Sequence, residues 1–113
     1  MSYATEGSRH FLILDWNDMR VALDDRRQTV ICGSRPGVDL RVQRRFVSRR
    51  HARIERRRDA FVLVDESTNG TFVQTEDQRV AFVHRGEMRL WGEGWLSFGE
   101  PLATPSVVRF RHA

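Results

Sequence analysis

Lysine is absent from this 113-residue chain, cysteine occurs once, and proline three times. No apolar run approaches the roughly 20 residues that a membrane helix needs. The lone thiol, Cys32, excludes a disulfide within the chain and a cysteine-based metal cluster; a buried, inert position is expected for it. Four histidines, His10, His51, His84 and His112, lack the paired spacing of zinc sites, so neither a metal nor another cofactor is expected. Residues Met1 to His10 carry no apolar stretch of the kind found in a secretory signal, which points to a soluble, cytoplasmic protein without a membrane partner. Helical windows are missing too. Apolar residues never recur at three-to-four spacing over ten or more positions before Gly, Asp-Asp or Pro interrupts.

What remains is a pattern of short strands. The length and a hydrophobic content of 40% suit one compact core. Residues 1–10 read as a flexible leader or linker remnant, and residues 11–113 as the domain. Eleven strands are predicted: Phe11 to Asp15, Arg20 to Leu23, Thr29 to Cys32, Leu40 to Val42, His51 to Arg57, Phe61 to Asp65, Thr71 to Gln74, Val80 to Val83, Met88 to Trp91, Trp95 to Phe98 and Val107 to Arg111. Alternation is clearest in Ala52-Arg53-Ile54-Glu55-Arg56 and Val108-Arg109-Phe110-Arg111, which marks strands with one wet face. Turn residues separate the runs at Asn17-Asp18, Asp24-Asp25, Pro36-Gly37, Arg58-Asp59, Asn69-Gly70 and Gly92-Glu93-Gly94. An all-β, antiparallel sandwich follows, with its loops gathered at the two ends.

Every basic residue other than histidine is arginine, and the net charge is +4. Half of the residues from Arg41 to Arg58 are arginine. Arginine presents a planar fork of donors suited to carboxylates and phosphates. The run therefore raises nucleic acid as a rival partner, although aromatic residues for base stacking are scarce there, with only Phe46 and then Phe61. A solvated strand face is the plain alternative.

Two polar islands interrupt the strands, Ser48-Arg49-Arg50-His51 and Thr68-Asn69-Gly70-Thr71. Short hydroxyl and amide side chains beside arginine and a glycine turn can direct several donors at one anion. Asn-Gly alone is also an ordinary hairpin signal. Ser48, His51 and Asp65 could be grouped as a hydrolase triad, but the Gly-x-Ser-x-Gly elbow that exposes a nucleophilic serine is missing, and no enzyme is expected.

In order and spacing, Gly33, Ser48 with His51, and Thr68-Asn69-Gly70 resemble the forkhead-associated family, and the resemblance runs from Val30-Ile31 through Asp39-Leu40, Ser48 to Ile54, Phe61 to Val73, Gly86-Glu87, Leu90 and Phe98-Gly99. It implies a sandwich of about eleven short strands of the SMAD/FHA type and a phosphothreonine-containing protein or peptide as partner. It implies that Ser48 and Arg49 contact phosphate, that Thr68 shapes the slot for the threonine methyl, and that Asn69 holds the peptide backbone. His51 becomes a brace between the binding loops, with Gly33 and Gly70 in support. Ser34 stands where the family carries a phosphate-binding arginine, and Arg35 comes one residue later. A glycine at 33, free to take positive φ, is expected to allow a bulge that re-aims Arg35. Gln74 departs from a frequent asparagine. Loops Gln43 to Val47 and Thr75 to Gln78 are expected to add specificity. The segment Ser48 to Asp65, with Arg85-Gly86-Glu87 and Gly94 to Gly99, looks most like modules attached to bacterial class III nucleotide cyclases, which implies a cyclase domain in the same parent chain.

Overall fold

The computed structural model describes residues 11–103 and 107–113. The expected leader at residues 1–10 lies outside the described residues. Eleven strands run in order: β1 (Leu12–Trp16), β2 (Met19–Leu23), β3 (Thr29–Gly33), β4 (Leu40–Arg41), β5 (Ala52–Arg57), β6 (Ala60–Asp65), β7 (Thr71–Gln74), β8 (Val80–Val83), β9 (Glu87–Leu90), β10 (Glu93–Phe98) and β11 (Val107–His112). Each predicted strand is present, β7 and β8 with the expected ends and the others with ends shifted by at most two residues.

Six strands form one sheet in the order β2-β1-β11-β10-β7-β8, and five form the other in the order β4-β3-β5-β6-β9. Pairing is antiparallel except for β3 with β4, which is parallel through Cys32 opposite Leu40 and Gly33 opposite Arg41. That pair is the one parallel ladder among the described residues of the expected antiparallel sandwich. Its cause is the short excursion at residues 34–39, which returns β4 alongside β3, with Asp39 N–H donating to Ile31 O at 2.9 Å and Ile31 N–H donating to Asp39 Oδ2 at 2.8 Å.

Period-two alternation decides which side chains enter the core. In β5, the fully buried Ala52 and Ile54 alternate with the outward-facing Arg53 and Glu55, and in β11 the buried Val108 and Phe110 alternate with Arg109 and Arg111. Together with Leu12, Leu14, Leu23, Val30, Phe61, Leu63, Leu96 and Phe98 they fill the space between the sheets. Full burial of a side chain of this size contributes about 1.5–3 kcal/mol, so the inner faces fix the strand register and with it the position of every loop. Cys32 is buried in this core, and burial pushes its thiol up to about 12, with nearby Asp39 adding to the rise. One turn differs from expectation. Gly92 alone turns the chain, at φ +58°, and Gly94 lies inside β10, where a side chain would collide with the Gln74 carbonyl and the Phe110 ring.

Candidate functional site

Three loops meet where β3, β6 and β10 end and β5 and β7 begin. The first is 34–39 after β3, the second is 42–51 between β4 and β5, and the third is 66–70 between β6 and β7. Backbone pairing joins the first two: Ser34 N–H donates to Ser48 O at 3.0 Å, and Arg35 N–H to Arg49 O at 3.2 Å. Two successive amides therefore face the same neighbour, which a regular strand does not do, so strand alternation ends after Gly33. Gly33 itself stays in β3 without a positive φ. This corrects the expected glycine-led bulge. Glycine is required at 33 because a Cβ there would overlap the Arg49 carbonyl, and the change of backbone direction falls on Ser34-Arg35.

His51 joins the second loop to the third. Its ring is fully buried; Nδ1 accepts from Ser48 N–H at 3.0 Å, and Nε2 faces Gly70 O at 2.8 Å. Acceptance at Nδ1 puts the proton on Nε2, which donates to Gly70. The neutral ring satisfies both bonds at once. Burial lowers the His51 pKa, opposed by the Gly70 carbonyl and the charge of Asp65, whose Oδ1 lies 3.8 Å from Nε2. Phe98 packs on the same ring at 4.9 Å between centroids. With both ring nitrogens committed and no bond to the Ser48 hydroxyl, the Ser48-His51-Asp65 grouping lacks the geometry of a hydrolase triad.

The third loop is shaped by Asp65, whose structural role the sequence did not disclose. This buried carboxylate accepts from Ser67 Oγ and Thr71 Oγ1 at 2.8 Å each, from Arg85 N–H at 2.9 Å and from Ser67 N–H at 3.2 Å. Burial opposes its ionisation, but these donors outweigh burial and hold its pKa below the ordinary carboxylate value. Ser67 Oγ in turn accepts from Gly70 N–H at 2.7 Å. The Arg85 side chain closes the ring, with Nε donating to Ser67 O at 2.8 Å. An Asp followed two residues later by Ser is a readable signal for such a local turn; Arg85, far along the chain, gives no comparable sign. Gly70 carries φ +84°, and a Cβ there would strike the Phe82 ring.

On this frame the remaining predicted residues come together. Ser48 Oγ accepts from Thr68 N–H at 3.1 Å and keeps its own proton to donate. Asn69 donates from Nδ2 to Phe46 O at 3.3 Å, which leaves Oδ1 without a donor among the described residues. Thr68, Asn69, Arg35 and Arg49 are exposed, and Ser34 and Ser48 are half-buried. Hydroxyl, guanidinium and amide groups thus converge at one end of the sandwich, a set able to bind an anion and the backbone of an extended peptide. The Thr75 to Gln78 turn does not belong to this set. It follows β7, four residues or about 13 Å along the strand from Gly70, and lies at the opposite end.

A two-sheet sandwich that presents such loops on a rigid frame is a recognition module. The FHA domain model matches residues 30–86, half of the chain, and the chain belongs to that family. This is a family of interaction modules, known for phosphothreonine-dependent protein-protein contacts. Among solved structures, the FHA-1 domain of Mycobacterium tuberculosis Rv1747 superposes with a TM-score of 0.71 at 18% identity, covering 93% of this chain and 98% of that one. The FhaA FHA domain, solved in complex with the intracellular domain of Rv3910, gives 0.63 at 27% identity, covering 90% and 99%. An FHA domain solved for its phosphothreonine-dependent interactions gives 0.64 at 25% identity, covering 90% and 94%. No curated protein matches the chain by sequence.

Proposed function

We propose that this chain is a phosphothreonine-peptide reader. Ser48 donates its hydroxyl to phosphate and Arg49 adds a guanidinium, while Asn69 holds the peptide backbone and Thr68 borders the threonine methyl. His51, Gly33 and Gly70 hold these groups in place. The observation that carries the reading is the pair of cross-links at Ser48 and Asn69, which fix each side chain yet leave the Ser48 proton and the Asn69 Oδ1 open to a ligand. A phosphothreonine brings close to two negative charges and strong acceptor oxygens to such donors. The resemblance to cyclase-attached modules supports a targeting or autoregulatory role in a larger bacterial signalling protein of the cytoplasm. A peptide array offering phosphothreonine, phosphoserine, phosphotyrosine and unmodified forms tests the reading. Preference for phosphothreonine supports it, and equal binding of the unmodified form removes it.

Ser34 favours a second reading, in which the fold persists as an assembly module with weakened phosphate recognition. A charge-assisted hydrogen bond contributes about 1.5–3 kcal/mol, so loss of the family arginine would weaken binding by about ten- to a hundredfold. The exposed Arg35, tied by its amide to Arg49, can supply that charge. In the first reading Arg35→Ala weakens phosphopeptide binding by about that factor and Ser34→Arg gains little. In the second, Arg35→Ala is nearly silent and Ser34→Arg tightens binding.

A further inference from the structure

Acidic neighbours balance the arginines unevenly. On the strands, Arg20 pairs with Asp15, Arg53 with Glu55 and Glu66, Arg57 with Glu55 and Glu87, and Arg109 with Glu93, while Arg56, Arg89 and Arg111 pair with no carboxylate among the described residues. At the end away from the site, Arg26, Arg27 and Arg58 share their turns with Asp24, Asp25 and Asp59, so formal charge cancels. Around the site it does not. Arg35, Arg44, Arg45 and Arg49 are all exposed, and among the described residues no carboxylate pairs with them. The two acids of the same loops are already engaged, Asp39 by Ile31 N–H and Glu66 by Arg50 and Arg53.

The backbone places these four charges together. Arg35 and Arg49 are joined by the amide-carbonyl bond of the first two loops. Arg44 and Arg45 lie in the turn closed by Val47 N–H to Arg44 O at 3.2 Å, and the Phe46 carbonyl of that turn accepts from Asn69. Arg45 lies over the Phe46 ring at 5.4 Å, which keeps its guanidinium at the loop tip. One phosphate engages one or two guanidinium forks, so four unpaired forks exceed what phosphothreonine alone can use.

We propose that the site selects phosphothreonine peptides bearing acidic residues beside the phosphothreonine, with Arg44 and Arg45 reading the flanking carboxylates. This rests on the phosphothreonine reading above and adds the class of sequence bound. Nucleic acid is disfavoured because these loops carry a single aromatic ring, Phe46, and Arg45 already lies over one of its faces.

The test is fluorescence anisotropy on one peptide in three forms: phosphothreonine with two acidic flanking residues, phosphothreonine with alanine flanks, and unmodified threonine with acidic flanks. A random DNA duplex is the fourth probe, and all are titrated at low and at high salt. Acidic flanks should tighten binding about threefold per residue, or about tenfold for two, with the gain shrinking as salt screens it. In Arg44→Gln/Arg45→Gln the ratio between the two phosphothreonine peptides should fall toward one. In Arg26→Gln/Arg27→Gln, which loses the same charge at the other end, it should stay. Equal affinity for both phosphothreonine peptides overturns the inference and leaves the phosphothreonine reading standing. Equal affinity for the unmodified acidic peptide overturns that reading and this inference with it. Tighter, steeply salt-dependent binding of the duplex overturns both in favour of nucleic acid.

Discussion

At the end away from the site, Asp24 Oδ1 accepts from the N–H groups of Arg26 and Arg27 at 2.8 Å each, and Asp77 accepts from Arg79 N–H and from the Thr75 hydroxyl. These bonds span two or three residues of sequence. At the site end, the links Ser48 to Thr68, His51 to Gly70, Phe46 to Asn69 and Asp65 to Arg85 span 19 to 23 residues. The far turns close themselves, whereas the site loops add to their local bonds a set of links to distant strands and loops that exists once both sheets have formed. A recognition surface gains from the second arrangement, because donors that are fixed before the ligand arrives lose less freedom on binding.

The largest effect is expected at Asp65. Asp65→Ala leaves four donors without their acceptor inside the protein, and the cost should be about 3–5 kcal/mol of stability, read as a lowered urea midpoint. A change below about 1 kcal/mol would mean that the third loop does not depend on the network.

His51→Ala comes next, at about 2–4 kcal/mol, and should exceed Ser48→Ala, which removes a single cross-loop bond of about 0.5–1.5 kcal/mol. The pH dependence carries a sign. Because the folded His51 pKa is depressed by burial, the unfolded chain binds the proton more readily, so stability is level above the ordinary value of about 6.5 and falls as pH drops below it toward the folded value. Protonation would set an N–H at Nδ1 against Ser48 N–H and break that bond within the second loop, while the Nε2 bond to Gly70 persists. Asp65 adds a further loss in stronger acid, as pH falls from its ordinary value through the lowered folded one. Melting temperatures from pH 7.5 to 5 should decline in the parent and lose part of that slope in His51→Ala.

The sequence disclosed the far end more completely than the site end for the same physical reason. Asp24-Asp25 and Arg58-Asp59 announce turns because each contains its own hydrogen-bonding chemistry. The alternation in β5 and β11 placed their core faces directly. Ser48, His51 and Asn69 could be named from their order along the chain, but not the bonds between them. At Asp65 the turn with Ser67 could be read locally, but not the convergence of Thr71 and the distant Arg85 on the same carboxylate. The same holds for Gly33, whose need for glycine is set by a carbonyl 16 residues later, and for the parallel β3–β4 pair.

The smallest stability effects sharpen the contrast most. Asn69→Ala should alter stability by less than about 1 kcal/mol while removing phosphopeptide binding, since its amide is exposed and makes one weak bond. Asp24→Ala should likewise have only a small effect on stability and leave binding untouched. Calorimetry and melting on the two variants compare them side by side. Equal binding losses would dissolve the distinction between the ends.

The most direct measurement is a titration of the 15N-labelled protein with one phosphothreonine peptide, followed by amide chemical shifts. The account predicts the largest shifts at Ser34, Arg35, Ser48, Arg49 and Thr68 to Gly70, with Arg26, Arg27 and Gln78 unmoved, and no shifts from the unphosphorylated peptide. Shifts centred on the far turns, or the same shifts from the unphosphorylated peptide, would contradict it.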